Sequence, residues 1–370
     1  MKDMHAEGIA HVVGLEHIDP EDIHLRRAAS IEDSTTFTKK FRKGDILFGR
    51  RRAYLKKAAQ ANFDGICSGD ITVMRAKEGL LPKLLPFVVN NDKFFDYAVK
   101  HSAGGLSPRV KFRDLANYEF LLPPKEQQAP LAELLWAMDE VIEKDLYLFD
   151  LVSLNKKALF KNALYYNAEE IDEFFGKLSS KFAVKKIGSL ITTLQYGISE
   201  SLSEIGQVPI LRMNNLQEGK LDLTDIKFYT PVNGELDNFI LEKGDILFNR
   251  TNSYDLVGKV SLFDEDDIYS FASYLIRIKV DQTKLDPRYL NFYMNSAIGI
   301  AKIRKYRTPG VSQSNINAQN IKRINIPVPD VSFQKMLMDK IDKFEKSAKE
   351  LNLKIESAKA LQKSLINQIF

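Results

Sequence analysis

Lys43-Gly44-Asp45-Ile46-Leu47-Phe48-Gly49-Arg50 returns 200 positions later as Lys243-Gly244-Asp245-Ile246-Leu247-Phe248-Asn249-Arg250, with seven of the eight residues unchanged. Two further echoes keep the same order: Gly105-Leu106-Ser107 with Gly310-Val311-Ser312, and Lys157-Ala158-Leu159-Phe160 with Lys363-Ser364-Leu365-Ile366. A duplication of this length predicts a pseudo-dimer in one polypeptide, a shape suited to a ligand with two related halves. Inside the repeat, Gly44 and Gly244 read as turn residues and Ile-Leu-Phe as a buried strand. Asp45 and Asp245 read as caps of that turn.

The 370 residues allow two domains with a core each. A net charge of +4 is a weak bias, so a polyanionic partner has to be met by local basic patches. The single cysteine, Cys67, excludes an internal disulfide, fits a reducing compartment and reads as a small core residue. Met1-Lys2-Asp3-Met4-His5 has no signal-peptide core, and no apolar run approaches the ~18 residues of a membrane span. A cytoplasmic protein without membrane contact is expected.

Residues 1–123 read as a mixed α/β module, with one helix expected over Leu84–His101. A helix is predicted over 124–165 after Pro123-Pro124, and a link over 166–184. A second α/β module follows over 185–329, then a helix over 330–370. Apolar residues recur at Leu131, Leu135, Met138, Ile142, Phe149, Val152, Leu159 and Ala163. In the second helix they recur at Leu337, Ile341, Phe344, Ala348, Leu351, Ile355, Ala358, Leu365 and Ile369. This is a heptad seam interrupted by Asp145, Lys156 and Gln362, and two such helices can pair antiparallel as a coiled coil. The competing reading is two amphipathic helices, each packed on its own module.

With these residues in view, the chain resembles the specificity subunit of type I restriction-modification systems over nearly its whole length. The resemblance rests on the doubled Lys-Gly-Asp-Ile-Leu-Phe strand, the doubled Gly-x-Ser element, the Pro-Pro-x-x-x-Gln helix entry ending at Gln128 (Gln334 in the second copy), and the doubled basic-apolar helix end. It implies tandem α/β (α+β) target recognition domains, each reading half of a bipartite, asymmetric double-stranded DNA sequence. It also implies two long helices that form an antiparallel coiled coil, act as a ruler and dock two methyltransferase (modification) subunits, with restriction subunits joining them. One departure stands out. The second module opens with Lys185–Gly206, whereas Val12-Val13-Gly14-Leu15 aligns best near Leu211-Arg212-Met213-Asn214, so about twenty residues are absent from the first copy: either the first module is trimmed or the true start lies upstream.

Candidate DNA contacts follow from the need for cations toward phosphate and forked donors toward base edges. In the first module they are Arg50, Arg51, Arg52, Lys56, Lys57, Arg109 and Lys111; in the second, Arg212, Asn214, Asn215, Arg250, Asn252, Ser253, Tyr254, Arg304, Lys305, Arg307, Ser312 and Gln313. Short basic runs more often form solvated loops, but here they follow the same strand in both copies. Gly176-Lys177-Leu178-Ser179 lacks the upstream glycine of a phosphate loop, and no methyltransferase motif or metal-spaced histidine pair occurs among the five histidines. No cofactor or metal is therefore expected, and any catalysis belongs to partners. The rival function is a coiled-coil interaction scaffold that does not read DNA sequence.

Overall fold

The computed structural model describes residues 9–32, 36–166, 180–232, 234–308, 310 and 313–370. Most of the link over 166–184 and Ser312 lie outside the described residues. Contacts divide the chain into a unit of Met1–Phe149 with Glu350–Phe370 and a unit of Asp150–Lys349. Each unit therefore holds an α/β body, one end of the central helix (Lys125–Leu164) and the opposite end of the terminal helix (Val331–Ile369).

In the first unit, a sheet runs Ala29–Ser30, His11–Val13, Gly65–Cys67, Lys39–Phe41, with His11–Val13 and Gly65–Cys67 parallel. A second sheet runs Ala58–Gln60, Ile46–Gly49, Ile71–Met74. The second unit repeats the plan. Val208–Leu211 pairs parallel with Ser270–Phe271, and Ile246–Asn249 lies between Leu275–Val280 and Val260–Leu262. There Ile191–Tyr196 adds a fourth strand beside Leu275–Val280, and Val184–Lys186 pairs with Asn325–Pro327.

The repeated octapeptide forms the same strand twice because its Ile, Leu and Phe are wholly buried in both copies. The turn before it needs a left-handed residue, at φ +92° for Gly44 and +91° for Gly244, which glycine adopts without strain. Asp45 Oδ2 accepts the Arg42 N–H at 2.7 Å, and Asp245 Oδ2 accepts the Glu242 N–H at 3.0 Å. The two carboxylates then diverge. Burial pushes both up, but at Asp45 the Arg75 guanidinium wins and holds the carboxyl below its ordinary value. At Asp245 burial wins and the carboxyl is raised.

The helix entries are also built twice. Gln128 Oε1 accepts the Leu81 N–H, while its Nε2 donates to the carbonyls of Gly79 and Pro123. Gln334 Oε1 accepts the Asp286 N–H, while its Nε2 donates to Lys284 and Pro329. Both amides are buried, and all their bonds pin a loop of the α/β body to a helix start.

The polar interruptions of the heptad seam have partners on the other helix. In the first unit the buried Asp145 carboxylate meets Lys354 Nζ at 3.0 Å, and Gln362 Nε2 donates to the Leu135 carbonyl at 3.2 Å. In the second unit Lys156 Nζ meets Glu345 at 3.3 Å. The competing reading also has its share. Ala132, Ile366 and Phe370 pack with Phe87 and Val88 of the first body, and Phe160, Leu164 and Met338 with Tyr289 and Tyr293 of the second.

One expectation needs correction. Leu84–His101 is two helices, Leu85–Val89 and Asp92–Lys100, because Asn91 caps the second by accepting the Lys93 N–H. Its amide also donates to the Ile366 carbonyl, a partner 275 residues away. The Gly-x-Ser echo lies in turns of unequal length: Ala103 pairs with Arg109 and Thr308 with Asn315, so the offset between the copies passes from 205 to 206 within the turn. Among the described residues, no helix is long and apolar enough to cross a membrane.

Candidate nucleic-acid interface

The loops after the repeated strand begin with the same backbone hydrogen bonds. Arg50 N–H donates to the Asp70 carbonyl and Arg250 N–H to that of Tyr274; the Arg50 carbonyl receives Val110 and the Arg250 carbonyl Ile316. One position further on, Arg51 bridges to Arg109 in the first unit, and Thr251 pairs with Asn315 in the second. The same scaffold thus presents different side chains.

In the first unit that pair is two arginines held by one anion. Arg109 grips Asp70 with two bonds, at 2.7 and 3.2 Å, and Arg51 lies 3.6 Å from the same carboxylate while donating to Ser107 Oγ at 2.6 Å. The Arg109 hydrogen bond keeps the Asp70 carboxyl below its ordinary value. A carboxylate so placed fixes the guanidinium planes but leaves donors of both arginines, about 40% exposed, facing solvent. Arg52 and Lys111 are exposed beside them. Lys56 and Lys57 are engaged internally: Lys56 Nζ pairs with Asp92 at 2.7 Å and Glu21 at 3.4 Å, and Lys57 Nζ donates to the Leu15 carbonyl at 2.7 Å. They shape the unit from within.

In the second unit Asn315 Nδ2 donates to Thr251 Oγ1 at 2.9 Å, where the first has its arginine pair. Arg250 lies over the Tyr196 ring at 4.9 Å and Arg307 over that of Tyr254 at the same distance, so two exposed aromatics hold two guanidinium planes. Asn252 is half-buried, and Ser253, Tyr254, Arg304, Lys305 and Gln313 are exposed. Arg304 and Arg307 border a cleft of about 1300 Å³ that also takes in Lys156, Lys220, Lys259 and Arg288. Arg50, Arg212, Arg250 and Arg307 each keep a buried Nε–H without an acceptor among the described residues.

Asn215 is corrected from candidate contact to turn former. It is 1% exposed, its oxygen accepts the Arg212 N–H, and its amide donates to the carbonyls of Asp222 and Asp225. His17 does the same work in the first unit, accepting the Gly14 N–H at 2.9 Å. Arg212 and Asn214 both reach Asp225, at 2.9 Å each, and form a separate polar cluster. Sequence reasoning missed Asp70, Tyr274 and Asn315, because a single carboxylate, tyrosine or asparagine carries no signal until the loop register is known.

A family model of the type I restriction modification DNA specificity domain matches residues 179–357. The putative type I restriction enzyme MjaX specificity subunit of Methanocaldococcus jannaschii is 24% identical over 200 residues, 53% of this chain and 47% of that protein. The EcoKI specificity subunit of Escherichia coli is 24% identical over 276 residues, 72% of this chain and 59% of that protein. The matched part thus spans about half to three-fifths of these relatives. Among solved structures, a chain from work on complex assembly and conformational transition of the type I R-M system superimposes with a TM-score of 0.58 at 17% identity, covering 97% of this chain and 90% of that one. The type I restriction-modification S subunit from M. genitalium gives 0.55 at 13%, covering 98% and 92%. These two share the mixed α/β fold with long helices. Residues 179–357 thus resemble a type I restriction modification DNA specificity domain, and the curated specificity subunits extend that likeness into the first half of the chain.

Proposed function

We propose that the chain is the non-catalytic sequence reader of a cytoplasmic type I restriction-modification complex. In this reading, residues 1–123 and 185–329 are target recognition domains for the two halves of a bipartite, asymmetric duplex target, joined through the link over 166–184. The helices over 124–165 and 330–370 form an antiparallel coiled coil that sets the distance between the half-sites and docks two modification subunits. Restriction subunits complete the complex.

The observation that carries the reading is the doubled loop. One backbone frame presents Arg51 with Arg109 in one unit and Thr251 with Asn315 in the other. Paired guanidinium forks suit guanine edges and phosphate, whereas an asparagine amide suits adenine and a threonine hydroxyl accepts or donates to any base edge, so one frame serves two unlike half-sites. Arg52, Lys111, Arg250, Asn252, Ser253, Tyr254, Arg304, Lys305, Arg307 and Gln313 complete the two surfaces. With a net charge of only +4, the affinity comes from these patches and falls steeply with salt. The experiment is selection from a random duplex pool with the chain and its modification subunits together. Enrichment of two short motifs at fixed separation is expected. Enrichment of nothing, with the complex assembled, would leave the interaction scaffold as the function.

A further inference from the structure

Asp70 puts a carboxylate among the arginines that the proposed function turns toward a polyanion. Its side chain is 21% exposed, and it answers the charges of Arg109, Arg51 and Arg50, the first through two hydrogen bonds. Affinity alone would be served better without it, because every uncompensated cation adds to the sequence-independent attraction of phosphate.

The geometry gives the carboxylate a different use. Arg109 spends Nε and one hydrogen of Nη2 on Asp70, at 2.7 and 3.2 Å, and its Nη1 donates to the Ser107 carbonyl at 3.4 Å. Arg51 spends Nε on Ser107 Oγ at 2.6 Å, with Nη1 3.6 Å from Asp70. Each terminal nitrogen carries two hydrogens, so both guanidinium groups keep donors on Nη1 and Nη2. An arginine held by its Nε edge retains the end-on fork that a guanine edge accepts. The backbone holds the same three residues together: Arg51 and Arg109 are bridged, and the Arg50 N–H bonds the Asp70 carbonyl.

The second unit supplies the contrast. There the carbonyl that takes the Arg250 N–H belongs to Tyr274, and the places of Arg51 and Arg109 hold Thr251 and Asn315. Carboxylate and arginine pair are present together in one copy and absent together in the other. A carboxylate that served the frame itself would be needed in both.

We infer that Asp70 is a specificity-determining positioning residue, which sets the Arg51 and Arg109 forks for base edges and lowers their pull on phosphate. The first half-site is then read by sequence rather than held by charge. This rests on the reading of the first unit as a recognition domain.

The test compares parent and Asp70→Asn chains, each with its modification subunits, by fluorescence anisotropy at several salt concentrations. One duplex is the target selected by the parent; the other has the first half-site scrambled. Asparagine keeps the size and one acceptor but removes the charge. The preference for the selected duplex should fall roughly tenfold, as expected for one misplaced base contact. Binding to the scrambled duplex should tighten at low salt, and its log–log dependence on salt should steepen by about one unit. Discrimination at the second half-site should stay. Asp70→Glu, with the charge on a longer arm, should restore the salt dependence but not the full preference. An unchanged preference in Asp70→Asn would overturn the inference alone, as would equal losses on both duplexes with a lower melting temperature, which would make Asp70 a residue of the fold. A parent complex that selects no split motif would remove the recognition reading itself, and this inference with it.

Discussion

Gln334 shows how much one side chain does here. Its amide closes three bonds to the Asp286 N–H and to the Lys284 and Pro329 carbonyls, all in a buried place. Leucine fills the volume but strands those groups, and an unsatisfied buried group costs about 1–3 kcal/mol. Gln334→Leu should therefore lower the unfolding free energy of the second unit by about 1–3 kcal/mol, read as a lower urea midpoint; an unchanged midpoint would mean that water replaces the amide without loss. At the recognition surface, Arg250→Ala with Asn252→Ala should relax selection at one half-site, at about 1–3 kcal/mol per lost base contact, and leave the other half-site untouched. Arg51→Ala with Arg109→Ala should do the converse. Equal loss at both halves in selection data would break the assignment of one unit to one half-site. The doubled arginines were legible in sequence because they follow a strand that repeats nearly letter for letter. Asn215 was misleading for a physical reason: an asparagine after a strand reads as a donor, but nothing in the sequence tells whether its amide turns outward or closes its own turn.

Between residue and fold lie the two long helices. Their apolar seam was legible, since the apolar slots recur with heptad spacing, and its polar interruptions proved to be paired positions such as Asp145 with Lys354. The second set of buried positions, Ala132, Phe160, Leu164, Met338 and Ile366, was not legible. Each belongs to a helix face turned toward its α/β body, and only the tertiary fold decides which body that is. Ile355 is buried in the seam, and Ile355→Asp places a carboxylate there without a cation, so loss of cooperative melting is expected in circular dichroism. The His24–Asp139 contact is a second joint, between the first α/β body and the central helix, at 2.9 Å. The Asp139 hydrogen bond outweighs burial and, with the charges of Asp139, Glu143 and Asp22, raises the imidazole pKa above its ordinary 6.5. A raised folded-state pKa means that the stabilisation is complete below the unfolded value and fades as pH climbs through the folded one. The melting-temperature gap between the parent chain and His24→Gln should thus be widest near pH 6 and shrink toward pH 8.5. A gap that does not change with pH would show that the charged pair contributes nothing to this joint.

For the molecule as a whole, the proposed function makes helix length a specificity determinant. The central helix has 40 residues and the terminal helix 39, and each contributes one end to each unit. Within the first unit, partners descend along one helix as they ascend along the other, Leu135 with Gln362 and Asp145 with Lys354. A seven-residue insertion preserves the apolar register, whereas a four-residue one turns the seam away from its partner. Seven residues added to both helices, between Leu148 and Phe149 and between Glu350 and Leu351, lengthen each by about 10.5 Å, at ~1.5 Å per residue. At ~3.4 Å per base pair that is about three base pairs. The variant should select the same two half-sites with a spacer about three base pairs longer, because the residues that read the bases are untouched. The same insertion in one helix alone puts the pairs on one side of it out of step, and the variant should lose stability. An unchanged spacer in the doubly lengthened variant, with both half-sites still selected, would show that something other than these helices measures the distance.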